Sequence, residues 1–222
     1  MDLSVIIPCY NLEKFITPLL DSLKAQKFNA QIELIFVLDS CTDNTRQVIE
    51  DAHLESYGYT VKILTAEVHS CGLARNVGME ASTGSHLQFV DGDDWLNTED
   101  TFMSILNFFE ETKAPYIKFK FASNTFPTEE NWPMVWQFAF TRQSISRLRF
   151  KKIEPNEDNI FMYCLRNIYL KGFKPPLLEK RLYFYNYGRE GSNMSKFFKN
   201  LREKGVDVTD LTGDNLPGTR AR

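Results

Sequence analysis

Four short apolar runs punctuate the first ninety residues, with helix-spaced segments between them, and no other feature narrows the fold as much. Residues 3–7 (Leu-Ser-Val-Ile-Ile) form the first run and stop at Pro8. Residues 32–38, 60–66 and 86–90 supply the others. Runs of this length, bounded by turn residues, read as strands. Between them, Phe15, Leu19, Leu20 and Leu23 fall on one helical face of residues 12–27, and Pro18 suits a first helical turn. Helices are also predicted over 42–56 and 71–81, with Gly84 ending the turn after the second. Such alternation predicts an α/β fold, a mostly parallel sheet flanked by helices on both faces. Parallel strands send their C-terminal ends to one edge. The segments there are Pro8-Cys9-Tyr10-Asn11, Asp39-Ser40-Cys41, His69-Ser70-Cys71 and Asp91-Gly92-Asp93-Asp94, so polar chemistry converges on one rim.

The second half is less regular. Residues 116–122 alternate Lys with apolar side chains and predict a strand, and 123–135 read as a loop with Pro127 and Pro133. Asn156 reads as the N-cap of a helix running to about residue 170, with Glu157 and Asp158 in its first turn and Gly172 after its end. An aromatic strand is predicted over 182–187, a short basic helix over 194–203, and a loose tail over 206–222. The 222 residues suit a single domain over 1–205.

Composition excludes several classes. A chain that is 43% hydrophobic and 25% charged is not disordered. No apolar run approaches the ~20 residues that span a bilayer. The N-terminus lacks a basic segment and a long apolar one, so a cytoplasmic protein is expected, with attachment to a membrane at most peripheral. The four cysteines show neither Cys-x-x-Cys spacing nor a histidine at ligand spacing, which favours free thiols over zinc. Cys9, Cys41 and Cys71 all follow strands and should gather on the rim. Residues 1–100 carry 6 Lys and Arg against 16 Asp and Glu, whereas 101–222 carry 20 against 13. An acidic half suits a divalent cation and a basic half an anionic partner, although both could be solvated faces.

Two acidic groups stand out. Asp91, Asp93 and Asp94 lie within four residues at a strand end, where they repel one another unless a cation such as Mg²⁺ or Mn²⁺ binds. An acidic turn before the next helix is the plainer alternative. Glu157 and Asp158 open a helix, where they could simply offset its dipole. Arg75 could be an ordinary surface helix residue. Trp95, Trp132 and Trp136 read as packing before sugar platforms, as do the aromatics of 183–187.

Taken in order, these segments resemble glycosyltransferase family 2, the inverting nucleotide-sugar enzymes of the GT-A, Rossmann-like fold. The matching motifs are Ser4 to Asn11, Val37 to Thr45, Gly72 to Gly78 running on to Asp91-Gly92-Asp93-Asp94, and Glu157-Asp158 with Phe161. Arg189-Glu190-Gly191-Ser192 is a weaker late match. The resemblance implies a donor half over 1–100 and an acceptor half over 101–205. It assigns Pro8, Tyr10, Asp39, Arg75, Asp91 and Gly92 to donor binding, with Asp39 accepting from the nucleotide base. It assigns Asp91, Asp93 and Asp94 to a Mn²⁺ or Mg²⁺ ion, and Asp158 to the role of general base. Trp136, Glu157, Arg189 and Ser192 are the acceptor or loop candidates.

The family usually has two acidic residues and a Gly where this chain has Leu38, Asp39 and Ser40, which leaves the expected UDP-sugar preference on one carboxylate. The implied reaction moves a sugar from a nucleotide-diphosphate donor to an acceptor hydroxyl, most simply of a glycan precursor, with inversion. The rivals are a non-catalytic interaction protein on the same fold, a nucleotidyltransferase, and transfer to a modified nucleic-acid base. The intact acidic residues count against the first, and the absence of a Gly-rich phosphate loop after the first strand counts against the second. Arg142, Arg147, Arg149, Lys151 and Lys152 precede Asp158 with no acidic residue among them, and Lys196, Lys199, Arg202 and Lys204 follow later. Together they would suit an anionic acceptor.

Overall fold

The computed structural model describes residues 1–124, 134–153, 156–186 and 203. In chain order the elements are β1 (Leu3–Cys9), α1 (Thr17–Lys24), β2 (Ile32–Asp39), α2 (Thr45–Asp51), β3 (Thr60–Ala66), α3 (Cys71–Ala81), β4 (His86–Phe89), β5 (Trp95–Leu96) and α4 (Thr101–Thr112). They continue with β6 (Tyr116–Ser123), β7 (Phe138–Thr141), α5 (Arg142–Ile145), α6 (Glu157–Tyr163) and β8 (Leu177–Tyr185). One eight-stranded sheet runs in the order β3-β2-β1-β4-β7-β6-β8-β5. Pairs among β1 to β4 are parallel, β7 is antiparallel to both β4 and β6, and β8 is parallel to β6.

The first half follows the sequence pattern closely, because β1 and β2 are buried along their whole length and carry near-continuous apolar runs. Pro8 survives inside β1 because β4 pairs only as far as Phe89 opposite Ile6. Ile6 turns its carbonyl toward the β4 side, where it accepts from Val90, and Pro8 faces the same side beyond the last pair. Its missing N–H therefore removes no ladder bond. The two faces hold separate cores. Val5, Ile7 and Leu34 pack with Leu19 and Leu23 of α1 and Phe102 and Ile105 of α4. Ile6, Ile35 and Val37 pack with Ala74 of α3 and Phe161 and Leu165 below it.

The sheet departs from expectation where pairing is long-range. It is mixed, because β7 and the short β5 enter antiparallel to their neighbours. The helix expected over 42–56 is broken: His53 adopts φ 48°, and a 3₁₀ turn, Leu54–Tyr57, follows. After α6 the backbone loosens into a π-helical turn, Cys164–Tyr169, before Gly172 at φ 82°. The aromatic strand starts five residues earlier than its apolar pattern implies. The 125–133 part of the expected loop with Trp132, the motif containing Arg189 and Ser192, the basic helix except for residue 203, and the tail lie outside the described residues. No helix among the described residues is long and apolar enough to cross a membrane.

Candidate active site

The rim is built by strand-end turns. Asn11, Ser40 and His69, each just beyond a strand, adopt φ of 48°, 55° and 51°. Left-handed geometry in non-glycine residues needs surrounding bonds to hold it. Asn11 exchanges hydrogen bonds with Thr42, whose N–H donates to Oδ1 at 2.8 Å. Asp39 accepts from the N–H groups of Val68 (2.8 Å), His69 (3.0 Å) and Ser70 (2.9 Å). It is buried, and its contacts fold the turn that leads into α3. That places it differently from a carboxylate presented openly to a nucleotide base. Tyr10 stands 56% exposed at the rim, while Pro8 is buried in the sheet. Cys9, Cys41 and Cys71 lie on this edge as thiols, and Cys41 donates to the Cys9 carbonyl at 3.3 Å. Burial pushes the Cys9 and Cys71 thiols well up, so both stay neutral.

The acidic turn after β4 divides its carboxylates. A Cβ on Gly92 would lie 2.4 Å from Leu12 Cδ1 and 3.3 Å from the Pro8 carbonyl, so only glycine lets the turn pack this tightly. Asp91 and Asp93, on either side, remain partly exposed. Asp94 points the other way, into the core. Its Oδ2 accepts from the Tyr183 hydroxyl at 2.6 Å and its Oδ1 from the Asn186 N–H at 2.8 Å. Tyr183 Oη in turn accepts from the Asp91 N–H at 3.1 Å, and Asn186 Nδ2 donates to the Asp93 carbonyl at 3.2 Å. Burial, then Asp93 and Asp91, raise the Asp94 carboxyl well above its usual range. The expectation of Asp94 as a third ligand is therefore corrected: both of its oxygens fasten β8 to the turn.

Arg75 and the acidic pair of α6 meet in the interior. Arg75 Nη1 donates to Asp158 Oδ1 at 2.8 Å and lies 3.4 Å from Glu157 Oε1, while Nη2 donates to Asp91 Oδ1 at 2.7 Å. The Arg75 side chain is 3% exposed, so it is neither a surface residue nor open on the donor rim. Asp158 Oδ2 accepts from the Val135 N–H at 3.1 Å. Burial raises the Asp158 carboxyl; Arg75 opposes that, Asp91 adds to it, and the net direction is upward. Burial also works against the charge on Arg75, but Asp158, Cys71, Asp91 and Glu157 outweigh it.

Trp136 is 3% exposed, stacked on Tyr183 at 4.6 Å and on Tyr185 at 5.1 Å. Its burial corrects the assignment to an acceptor surface and supports packing. Arg189 and Ser192 lie outside the described residues. Sequence reasoning missed Tyr183, Asn186 and the Val135 amide as parts of this network. The aromatic strand was the signal for Tyr183 and Asn186, whereas Val135 fell at the end of the expected loop.

Among the described residues no three His, Cys, Asp or Glu side chains are grouped to hold an ion by themselves. Two partly exposed carboxylates, Asp91 and Asp93, flank the Gly92 turn. That donor set fits an ion such as Mg²⁺, which uses one or two protein carboxylates and takes its other ligands from substrate phosphates and water.

Comparison with known proteins gives a consistent picture. The model of the family described as "Glycosyl transferase family 2" matches residues 4–215. Poly(ribitol-phosphate) beta-N-acetylglucosaminyltransferase TarS of Staphylococcus aureus is 29% identical over 222 residues, covering 89% of this chain and 38% of that protein. A poly(ribitol-phosphate) beta-glucosyltransferase of Bacillus spizizenii is 26% identical, covering 88% of this chain and 34% of its own length. The chain therefore spans well under half the length of these relatives. The crystal structure of S. aureus TarS 1–349 in complex with UDP-GlcNAc superposes with a TM-score of 0.76 at 25% identity, covering 91% of this chain and 65% of that one.

Proposed function

The chain belongs to glycosyl transferase family 2 and has its GT-A fold, and from that premise we propose that it moves a sugar from a nucleoside diphosphate donor to an acceptor hydroxyl with inversion. The seating of Asp158 carries this reading. A buried carboxylate with a raised pKa, oriented by Arg75 and the Val135 amide, is suited to take a proton from a hydroxyl. As the acceptor oxygen bonds to the anomeric carbon, its proton passes to Asp158. The bond from that carbon to the diphosphate oxygen breaks, and the nucleoside diphosphate leaves. Asp91 and Asp93 would hold Mn²⁺ or Mg²⁺, which when bound neutralises the departing diphosphate.

A UDP-sugar is the proposed donor, supported by the UDP-GlcNAc complex of the similar TarS structure. The proposed acceptor is an anionic glycan polymer. Both relatives are named for poly(ribitol phosphate), and Arg147, Lys151 and Lys152 are exposed on the approach to Asp158. Lys152 Nζ donates to the Val68 carbonyl at 3.2 Å, so this basic stretch reaches the rim. We propose a cytoplasmic reaction, with any membrane attachment peripheral.

The test is UDP release from UDP-GlcNAc and UDP-glucose with Mn²⁺, with poly(ribitol phosphate) or a neutral glycan as acceptor. Release stimulated by the polymer and lost in Asp158→Asn is expected. Absence of release from these and from GDP-sugars would overturn the enzyme reading in favour of an interaction protein.

A further inference from the structure

We infer that Arg75 is a positioning residue for the base, and that Asn76 and Phe150 form the seat that holds it in place. The inference rests on the proposed role of Asp158. One planar guanidinium reaches both centres, with Nη1 on Asp158 and Nη2 on Asp91. It therefore fixes the spacing between the turn after β4 and the start of α6, which lie 67 residues apart in sequence (Asp91 to Asp158).

The seat is built from uncharged residues. The Phe150 ring lies beneath the guanidinium, 5.4 Å from Cζ to centroid, and stacks on Phe161 at 4.2 Å and 9°. Asn76, the residue after Arg75, clamps the Phe150 backbone from both sides. Its Oδ1 accepts the Phe150 N–H at 2.9 Å and its Nδ2 donates to the Phe150 carbonyl at 3.0 Å. Gly72, one turn earlier on α3, leaves the space: a Cβ there would lie 3.0 Å from Phe150 Cβ and 3.2 Å from Glu157 Cβ. Among the described residues, the buried Arg75 Nε has no hydrogen-bond partner, so the pose leaves that donor unsatisfied while the two Nη groups sit on the carboxylates.

Asp158 thus has one oxygen on Arg75 and the other on the Val135 amide, which fixes its carboxylate plane. The groups facing it are Arg75 and Cys71 from α3, Asp91 from the β4 turn, Glu157 from its own helix and the Val135 N–H. Arg75 is the cation among them and opposes the protonation that burial favours.

The experiment compares wild type, Arg75→Lys, Arg75→Gln, Phe150→Leu and Asp158→Asn across pH. UDP release from UDP-GlcNAc is measured with and without poly(ribitol phosphate), alongside calorimetric UDP affinity and melting. Arg75→Gln is expected to lose about 100-fold or more in transfer kcat, with donor KM and UDP affinity within about threefold. The acid limb of its kcat profile moves to higher pH, because Asp158 loses the cation that opposes its protonation. Arg75→Lys, which keeps the charge, recovers part of the loss and the limb. Unchanged kcat and profile in Arg75→Gln would overturn the inference. So would a fall in UDP affinity parallel to kcat, which would make Arg75 a donor contact.

Should Arg75→Gln fail to fold, Phe150→Leu decides, since it removes the seat and no charge. It should lower kcat roughly tenfold at constant donor KM, and wild-type kcat would overturn the seat. Full transfer by Asp158→Asn would instead refute the base assignment on which the inference rests.

Discussion

Asp94 and Tyr183 lie 89 residues apart in the chain and share a 2.6 Å hydrogen bond in the core. This bond, with the Asn186 amide on the other carboxylate oxygen, ties the end of β8 to the acidic turn. The three aspartates of that turn therefore divide into two roles.

Asp93→Asn should fold normally and lose most turnover, since a metal-held leaving group contributes several kcal/mol. Asp94→Asn keeps the shape of its core contacts and should retain activity within about tenfold. Tyr183→Phe leaves a buried carboxyl short of a partner and should cost about 1–3 kcal/mol of stability. Urea unfolding and Mn²⁺-dependent turnover of the three variants check this. Equal loss of turnover in Asp93→Asn and Asp94→Asn, with stability intact, would restore Asp94 as a ligand.

Asp158→Asn should abolish transfer by about 10²- to 10⁴-fold. UDP affinity should stay near wild type, because the carboxylate is proposed to act on the acceptor. Calorimetry beside the transfer assay measures both, and a collapse of UDP binding would reassign the residue.

Glu33 sets a prediction at the opposite end of the strands. Its side chain is buried, and although burial alone would raise its pKa, Lys62, Ser4 and Thr83 bring it from 4.5 down to about 2. A carboxyl depressed in the folded state stabilises fully above its unfolded value, and that contribution is lost as pH falls toward 2. Glu33→Gln should cost about 2–3 kcal/mol near pH 7. The gap from wild type should narrow below pH 4.5 and close near pH 2. Urea midpoints at pH 7, 4 and 3 read the trend, and a constant gap would contradict it.

The basic stretch sets a salt dependence. Arg142 donates to the Gly84 carbonyl, and Arg149 to the Ser146 and Leu148 carbonyls, so both are engaged in the fold. Arg147 and Lys151 are exposed. Acceptor KM for poly(ribitol phosphate) should rise roughly tenfold between about 50 and 200 mM salt, and Arg147→Ala/Lys151→Ala should flatten that slope. A salt-independent KM, unaltered by the double substitution, would leave these side chains as a solvated face.

What could be read from the sequence was what local patterning determines. β3 and α3 have the expected bounds because alternation marks the strand, and Ser70, which accepts from the Leu73 N–H, caps a helix of regular apolar spacing. β7 carries four residues and no turn signal, and its partner β4 lies about fifty residues upstream, so pairing alone defines it. His53 breaks a helix that its neighbours' spacing would continue. At the site, spacing brought Asp91, Asp93 and Asp94 together but could not say which faced inward, because that depends on Tyr183 and Asn186. Arg75 looked like a donor or surface residue for the same reason: its carboxylate partners come from two other elements.

The placement of β7 between β4 and β6 has a mechanical consequence. The first and second halves of the chain are laminated into one sheet, hydrogen-bonded strand to strand across their boundary. A cleft between separate lobes can close by rotation, but a continuous sheet has no hinge line for such a rotation. Among the described residues, closure over substrates falls to the turns beyond the strand ends, with the sheet as a stationary anvil. The distance from the acidic turn to Asp158 is then set when the chain folds, before any substrate arrives.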